Sequence, residues 1–199
     1  TAPASLTLSD ELVEYADGIV ITRLNILVGA STDKFVREYQ VEAKKSTETN
    51  FKVVGRGIQL NYEMLNVVDG QLYNVRARAV NTLGVASPYT SATRTIVGGV
   101  EAPSNVEDFA VEMHGQDHMK LTWTPPSQQS DLDISFYEIR YQNVLSGANW
   151  LNSSNLVRCP RRKCDSAIVP ARTGSYLIKA VDKNSNTSAE ASIVSTNIS

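Results

Sequence analysis

Residues 70–87 read GQLYNVRARAVNTLGVAS, and residues 174–188 read GSYLIKAVDKNSNTS. Both stretches alternate apolar and polar side chains, reach Ala-Val followed by Asn or Asp, and then turn through polar residues to a closing Ser. Alternation with a period of two places side chains on opposite faces of a strand. Tyr73, Val75, Ala77 and Ala79 therefore share a core face, and Arg76 and Arg78 share a wet one. In the second copy Tyr176, Ile178 and Ala180 point inward and Lys179 outward, with Leu177 expected to be half-exposed.

The likeness extends outward from these stretches. GIVITRLNILV, FVREYQVEAKK, NFKVV, GIQLNYEML and QLYNVRARAV in the first half match HMKLTWTP, FYEIRYQ, ANWLN, DSAIVP and SYLIKAVD in the second. Pairing Val28 with Trp123, Tyr39 with Tyr137, Phe51 with Trp150 and Ala79 with Ala180 gives offsets of 95, 98, 99 and 101. So slow a drift means two copies with small loop changes. A repeat of this length, made of short alternating strands, is what a two-sheet sandwich requires. No window carries a helical period, so the expected class is all-β. The boundary falls in IVGGVEAPSNV, where Gly98, Gly99 and Pro103 punctuate the chain. Two domains, 1–98 and 99–199, joined by a short tether, are expected.

Composition narrows the function. Of 199 residues, 19 are Lys or Arg and 21 are Asp or Glu, a balance that speaks against a nucleic-acid groove. No apolar run approaches the ~18 residues of a membrane span, and the opening TAPASLTLSD lacks the charge and apolar core of a signal peptide.

LTWTPP followed by YEIRY, together with LYNVRARAVNTLGVAS, resembles strand regions of fibronectin type III domains. In that family a Trp of the second strand packs the core, matched here by Trp123, and a Tyr early in the sixth strand forms the tyrosine corner, matched by Tyr73. Each copy departs once: Val28 stands in the Trp position of the first, and Gly174 aligns with the corner Tyr, leaving Tyr176 to fill core. A narrower resemblance joins DGIVITRLNILV, DKFVREYQVEAKK and YNVRARAVNTLGVASP to a second copy ending ARTGSYLIKAVDKNSNTS. This combination is similar to the tandem domains of tail-tip proteins of long-tailed phages, the lambda-like host-specificity or central-fibre proteins. That resemblance implies a structural module in a virion tail tip, partnered by other tail-tip proteins and by the host cell surface, in a parent assembly that is a homotrimer.

Motifs for chemistry are sparse. His114 and His118 flank a turn, and with Cys159 and Cys164 they match a two-Cys, two-His zinc set in residue type. The sandwich topology sets the pairs at opposite ends, roughly 20 Å apart for strands of ~6 residues, so two solvated turn histidines are expected. In RCPRRKCD the cysteines bracket a polar span compatible with a hairpin, leaving either a cross-strand disulfide or two reduced thiols. Its cations Arg161, Arg162 and Lys163 are the candidate contact for a partner. Asp131 and Asp133 read as a solvated loop. DKNSN at Asp182–Asn186 has calcium-like residue types without the required Gly and Glu. Phosphate-loop, nucleophile and Arg-Gly-Asp motifs are absent from the sequence. The expectation is a non-enzymatic module with no cofactor and no metal. Two alternatives stand beside the tail-tip reading. One is a receptor or adhesion ectodomain, to which glycosylation-type triplets at Asn152, Asn186 and Asn197 point, although no WSxWS-like signature occurs and the first domain has no cysteine. The other is the spacer of a secreted polysaccharide-degrading enzyme.

Overall fold

The computed structural model describes residues 1–15, 18–160 and 162–198. The chain divides into two compact units, Thr1–Gly98 and Gly99–Ser199. Unit 1 holds β1 (Leu6–Glu14), β2 (Val20–Val28), β3 (Val36–Lys45), β4 (Lys52–Gly57), β5 (Asn61–Leu65), β6 (Leu72–Asn81) and β7 (Thr90–Thr95). Unit 2 repeats the series as β8 (Glu107–His114), β9 (His118–Thr124), β10 (Ile134–Gln142), β11 (Ser154–Pro160), β12 (Ser166–Pro170), β13 (Gly174–Asp182) and β14 (Ser192–Thr196). Each unit packs a three-stranded sheet, β1-β2-β5 or β8-β9-β12, against a four-stranded one, β4-β3-β6-β7 or β11-β10-β13-β14. Every strand pairing among the described residues is antiparallel. Helical structure among the described residues is confined to three-residue 3-10 turns.

The repeat reaches the irregularities. β3 slips register between Val36 and Glu38 against β6, and again between Val41 and Glu42 against β4. β10 slips at the equivalent places, between Ile134 and Phe136 and between Ile139 and Arg140. Such bulges sharpen the local twist of a strand.

Alternation delivers the cores. Leu24, Ile26 and Val28 of β2 face Tyr39, Val41 and Ala43 of β3 and Tyr73, Val75, Ala77 and Ala79 of β6. In unit 2, Met119, Leu121 and Trp123 face Tyr137 and Ile139, with Tyr176, Ile178 and Ala180 behind them. The Trp123 ring lies 5.4 Å from that of Tyr137 and 6.4 Å from that of Phe109, centroid to centroid. Where unit 1 has Val28 instead of Trp, the volume comes from another strand. Ile26 pairs with Tyr62 on β5, whereas the equivalent Leu121 pairs with Ala167 on β12. A Trp-Ala combination has become Val-Tyr. Gly55 makes room for it: a Cβ there would stand 2.7 Å from Cδ1 of the Tyr62 ring.

Tyr73 and Tyr176, although only the first stands at the corner position, both bond to backbone upstream. The Tyr73 hydroxyl accepts the Val68 N–H at 3.2 Å. Tyr176, two residues beyond Gly174, is fully buried and donates to the carbonyls of Pro170 (3.2 Å) and Arg172 (3.3 Å).

Two sequence expectations are corrected. Leu177 is not half-exposed but wholly buried. Its cross-strand neighbour Arg140 and its strand-mate Lys179 both stack on the Trp150 ring, at 4.2 and 5.5 Å, and this layer roofs the leucine. Asp131 and Asp133 are buried rather than solvated. The Asp131 carboxylate accepts the N–H groups of Ser104 (2.7 Å) and Gln128 (2.6 Å), tying the entry to unit 2 to the loop after β9.

Candidate functional site

The chain between Pro160 and Ser166 passes from β11, at the edge of the four-stranded sheet, to β12, at the edge of the three-stranded one. Cys159 and Cys164 are joined by a disulfide with Cα atoms 6.4 Å apart. The bond does not pin a hairpin within one sheet, because β11 and β12 belong to different sheets; it closes the turn through which the chain changes sheet. Two further anchors hold the same turn. The Tyr137 hydroxyl donates to the Arg162 carbonyl at 2.7 Å, and the backbone N–H of Trp123 donates to the Asp165 carbonyl at 3.0 Å. Burial and the nearby Asp131 carboxylate, opposed by Arg162, push the Tyr137 hydroxyl up to about 12. The hydroxyl therefore remains a donor at any ordinary pH. Lys163 at the tip is exposed and Arg162 half-buried; Arg161 lies outside the described residues.

Unit 1 makes the same passage without cysteine. Tyr62 donates from its hydroxyl to the Gly57 carbonyl (3.1 Å) and the Tyr39 carbonyl (3.3 Å). Burial, with Glu38 and Tyr39 nearby, raises the Tyr62 hydroxyl above its ordinary value.

Several cations on the four-stranded faces are engaged within their own units. In unit 1 the Arg76 guanidinium lies 3.9 Å from the Phe51 ring centre and 4.1 Å from that of Tyr89, and pairs with Glu42 at 2.6 Å. In unit 2 Arg140 pairs with Glu138 at 2.7 Å while stacking on Trp150, and Arg158 stacks on Phe136 at 4.8 Å. Phe51 and Trp150, equivalent by sequence, are thus both platforms for cations.

The turns after β6 and β13 share a backbone and differ at the tip. Asn81 accepts the N–H groups of Leu83 and Val85 through its side chain, and Asp182 accepts that of Asn186. Gly84 and Ser185 occupy the same position with φ of +79° and +69°. At the tip, Leu83 and Val85 stand exposed in unit 1, beside Phe35, whose carbonyl accepts the Thr82 N–H at 2.9 Å. Unit 2 has Asn184 and Asn186 there. Asn184 donates to the Gly99 carbonyl at 2.8 Å, and Asn186 to one carboxylate oxygen of Asp182 at 2.8 Å. The calcium-like DKNSN segment thus spends its polar atoms on its own turn and on the chain that enters the unit.

His114 and His118 pair directly across the β8–β9 hairpin, and His118 also faces Pro170, whereas the cysteine end of β12 faces Thr122. The histidines and cysteines therefore sit at opposite ends of β9 and share no site. One polar lock was not read from the sequence. Asp10, on β1, accepts Arg94 Nε (2.6 Å) and the N–H groups of Val97 (2.8 Å) and Gly98 (2.9 Å). Burial pushes its carboxyl up, but the Gly98 N–H, the Arg94 guanidinium and the Val97 N–H together outweigh it and hold the carboxyl below its ordinary value. No local motif announces this lock, since its partners lie more than eighty residues downstream.

No family model matches the sequence. Among solved structures, a two-domain fibronectin type III segment of chicken tenascin aligns over 98% of this chain and 100% of its own, at 15% identity and a TM-score of 0.43. The FN1–FN3 domains of chicken CNTN1 align over 97% of this chain and 65% of theirs, at 14% identity and a TM-score of 0.42. The Clostridium perfringens spore cortex lytic enzyme SleM aligns over 47% of this chain and 28% of its own, at 17% identity and a TM-score of 0.36. Both units have the fibronectin type III fold. The strand order within each unit, three strands on one sheet and four on the other with the chain changing sheet between the fourth and fifth, carries that statement. Among the described residues no helix is long and apolar enough to cross a membrane.

Proposed function

We propose that the two domains are a structural module of a phage tail tip, spacing and supporting the parts that engage the host, with the Cys159–Cys164 turn as their principal contact for a partner. The observation that carries the contact is the triple anchoring of that turn, by the disulfide, the Tyr137 hydroxyl and the backbone N–H of Trp123. A turn fastened at Cys159, Arg162, Cys164 and Asp165 before binding loses little entropy at those positions when it binds. Its Arg161, Arg162 and Lys163 suit an acidic neighbour in the assembly or the anionic surface of a host cell. Support for the spacer role comes from the sheet faces, where Arg76 and Arg140 are already stacked and paired within their own units. The tail-tip assignment itself rests on the sequence resemblance.

Replacing Arg161, Arg162 and Lys163 together by Ser in the parent protein, with particle assembly and adsorption measured separately, tests the reading. Lost assembly with normal melting places the turn at a structural interface. Lost adsorption with normal assembly makes unit 2 a receptor binder and refutes the scaffold role.

The disulfide also favours a second reading, an extracellular adhesion module, because such bonds persist in oxidising compartments. Of the glycosylation-type triplets, those at Asn152 and Asn197 present exposed side chains. Sugar found on Asn152 of protein from its native source would establish this reading in place of the first.

A further inference from the structure

We propose that His114 and His118 form an open two-imidazole site for a borderline divalent cation, with Cu(II) bound most tightly. The β8–β9 hairpin sets the two residues directly opposite each other as its last paired rung. Both lie on the outer face of the three-stranded sheet, because Met119, Leu121 and Trp123 alternate inward along β9. Both are exposed. Directly opposed residues of an antiparallel pair hold their Cβ atoms about 4.5–5.5 Å apart. Two imidazoles at that spacing can converge on one metal with the usual metal–nitrogen bonds of about 2.0–2.1 Å.

The rung is held in place. Gly115 opens the turn with φ +74°, and the Asp117 carbonyl accepts the Ala171 N–H at 2.9 Å, tethering the turn to the end of β12. The next rung on the same face, Glu112 opposite Lys120, is an ion pair at 3.8 Å. Its carboxylate is thus directed along the strands to the ammonium, and the imidazoles are the donors at the hairpin end. Imidazole nitrogen suits Cu, Ni and Zn, whereas Mg, Ca and Mn favour oxygen ligands. Two protein ligands leave coordination positions for water or for a donor on another molecule, so the ion exchanges freely and differs from the closed four-ligand zinc site that the topology forbids.

Calorimetric titration of the 199-residue chain with CuCl2, NiCl2, ZnCl2 and MnCl2 tests the site. The expected result is one Cu(II) per chain, bound at least tenfold tighter than Zn(II), with no saturable Mn(II) binding. His114→Ala and His118→Ala should each weaken Cu(II) at least tenfold, and the electron paramagnetic resonance spectrum of the Cu(II)-loaded chain should show two equatorial nitrogens. His114→Gln and His118→Gln repeat the test should an Ala variant melt early. Absence of saturable Cu(II) binding, binding that survives His118→Gln unchanged, or Mn(II) binding as tight as Cu(II) would each overturn the proposal.

Discussion

The two domains fill the same core volume from different strands. Unit 2 uses Trp123 on its second strand with Ala167 opposite Leu121, and unit 1 uses Val28 on its second strand with Tyr62 opposite Ile26. The exchange changes how each domain fastens the passage from one sheet to the other. Tyr62 brings a hydroxyl that reaches the carbonyls of Gly57 and Tyr39, so unit 1 closes the passage with hydrogen bonds. Trp123 has no such reach, and its indole N–H is buried without a partner among the described residues. Unit 2 closes the passage with the Cys159–Cys164 bond and the Tyr137 hydroxyl. One fold thus tolerates loss of a defining aromatic where a second strand supplies both the volume and the fastening.

The sharpest way to break this equivalence is truncation of both aromatics. Trp123→Ala should destabilise unit 2 by ~3–5 kcal/mol, and Tyr62→Ala should cost unit 1 about as much. Val28→Ala, by contrast, removes two methyl groups and should cost only about 2 kcal/mol. Melting curves that resolve the two units would check this. The double variant Val28→Trp with Tyr62→Ala should recover at least about 1 kcal/mol over the sum of its single changes, because the two positions share one cavity. Strict additivity would show that the volumes are unrelated.

Asp10 comes next. Asp10→Ala strips the partner from Arg94 and two backbone N–H groups and should cost unit 1 about 3 kcal/mol. Asp10→Asn tests the charge by pH. The folded carboxyl is held below its ordinary value, so the stabilisation is complete above the unfolded value of about 3.9 and is lost as pH falls from there through the folded value. The gap in melting temperature between the native chain and Asp10→Asn should therefore be constant near neutrality and shrink below about pH 4. Glu11, held low by hydrogen bonds from Arg23 and Asn25, leaves a residual acid dependence in both proteins. A gap that widened in acid would refute the assignment.

Reducing the disulfide, or replacing Cys159 and Cys164 by Ser, should lower unit 2 by about 2 kcal/mol or less, since the closed loop is short. Unit 1 should melt unchanged. The corresponding loss in unit 1 is Tyr62→Phe, expected at about 1 kcal/mol for the hydroxyl alone. If reduction left unit 2 unaltered, the Tyr137 and Trp123 anchors would suffice for the passage.

These comparisons mark what the sequence could reveal. Tyr73, Val75, Ala77 and Ala79 announce a strand face by local alternation, and the offset of 98 between Tyr39 and Tyr137 carries even the bulges across. Burial of Asp131 was not legible, because polar loop residues look solvated until the Ser104 N–H arrives from twenty-seven positions away. Leu177 misled for a related reason: its roof is Trp150, delivered by a loop from outside the strand pattern. RCPRRKCD displayed the cysteine pair but not which sheets it joins, since strand length and spacing are the same for a hairpin and for a change of sheet. The His114–His118 rung was legible as a turn, yet its shared outward face needed the register.

The smallest effect separates the two turn tips. Asn184→Ala removes one hydrogen bond to the Gly99 carbonyl and should cost unit 2 about 0.5–1 kcal/mol. Leu83→Ala at the same place in unit 1 should change stability by less than about 0.5 kcal/mol, because the side chain is 86% exposed and leaves no cavity. The turn beneath is equivalent in backbone, held by Asn81 in one and Asp182 in the other, so the difference isolates the tip from the scaffold. The reciprocal change, Leu83→Asn, should leave the melting of unit 1 in place, because its entering chain runs elsewhere: Thr1 meets Ser31 and Thr32, and the Pro3 carbonyl accepts the Thr90 hydroxyl. A stabilised Leu83→Asn variant would mean that the turn alone recruits the entering chain and that the path of residues 1–3 follows the tip rather than setting it.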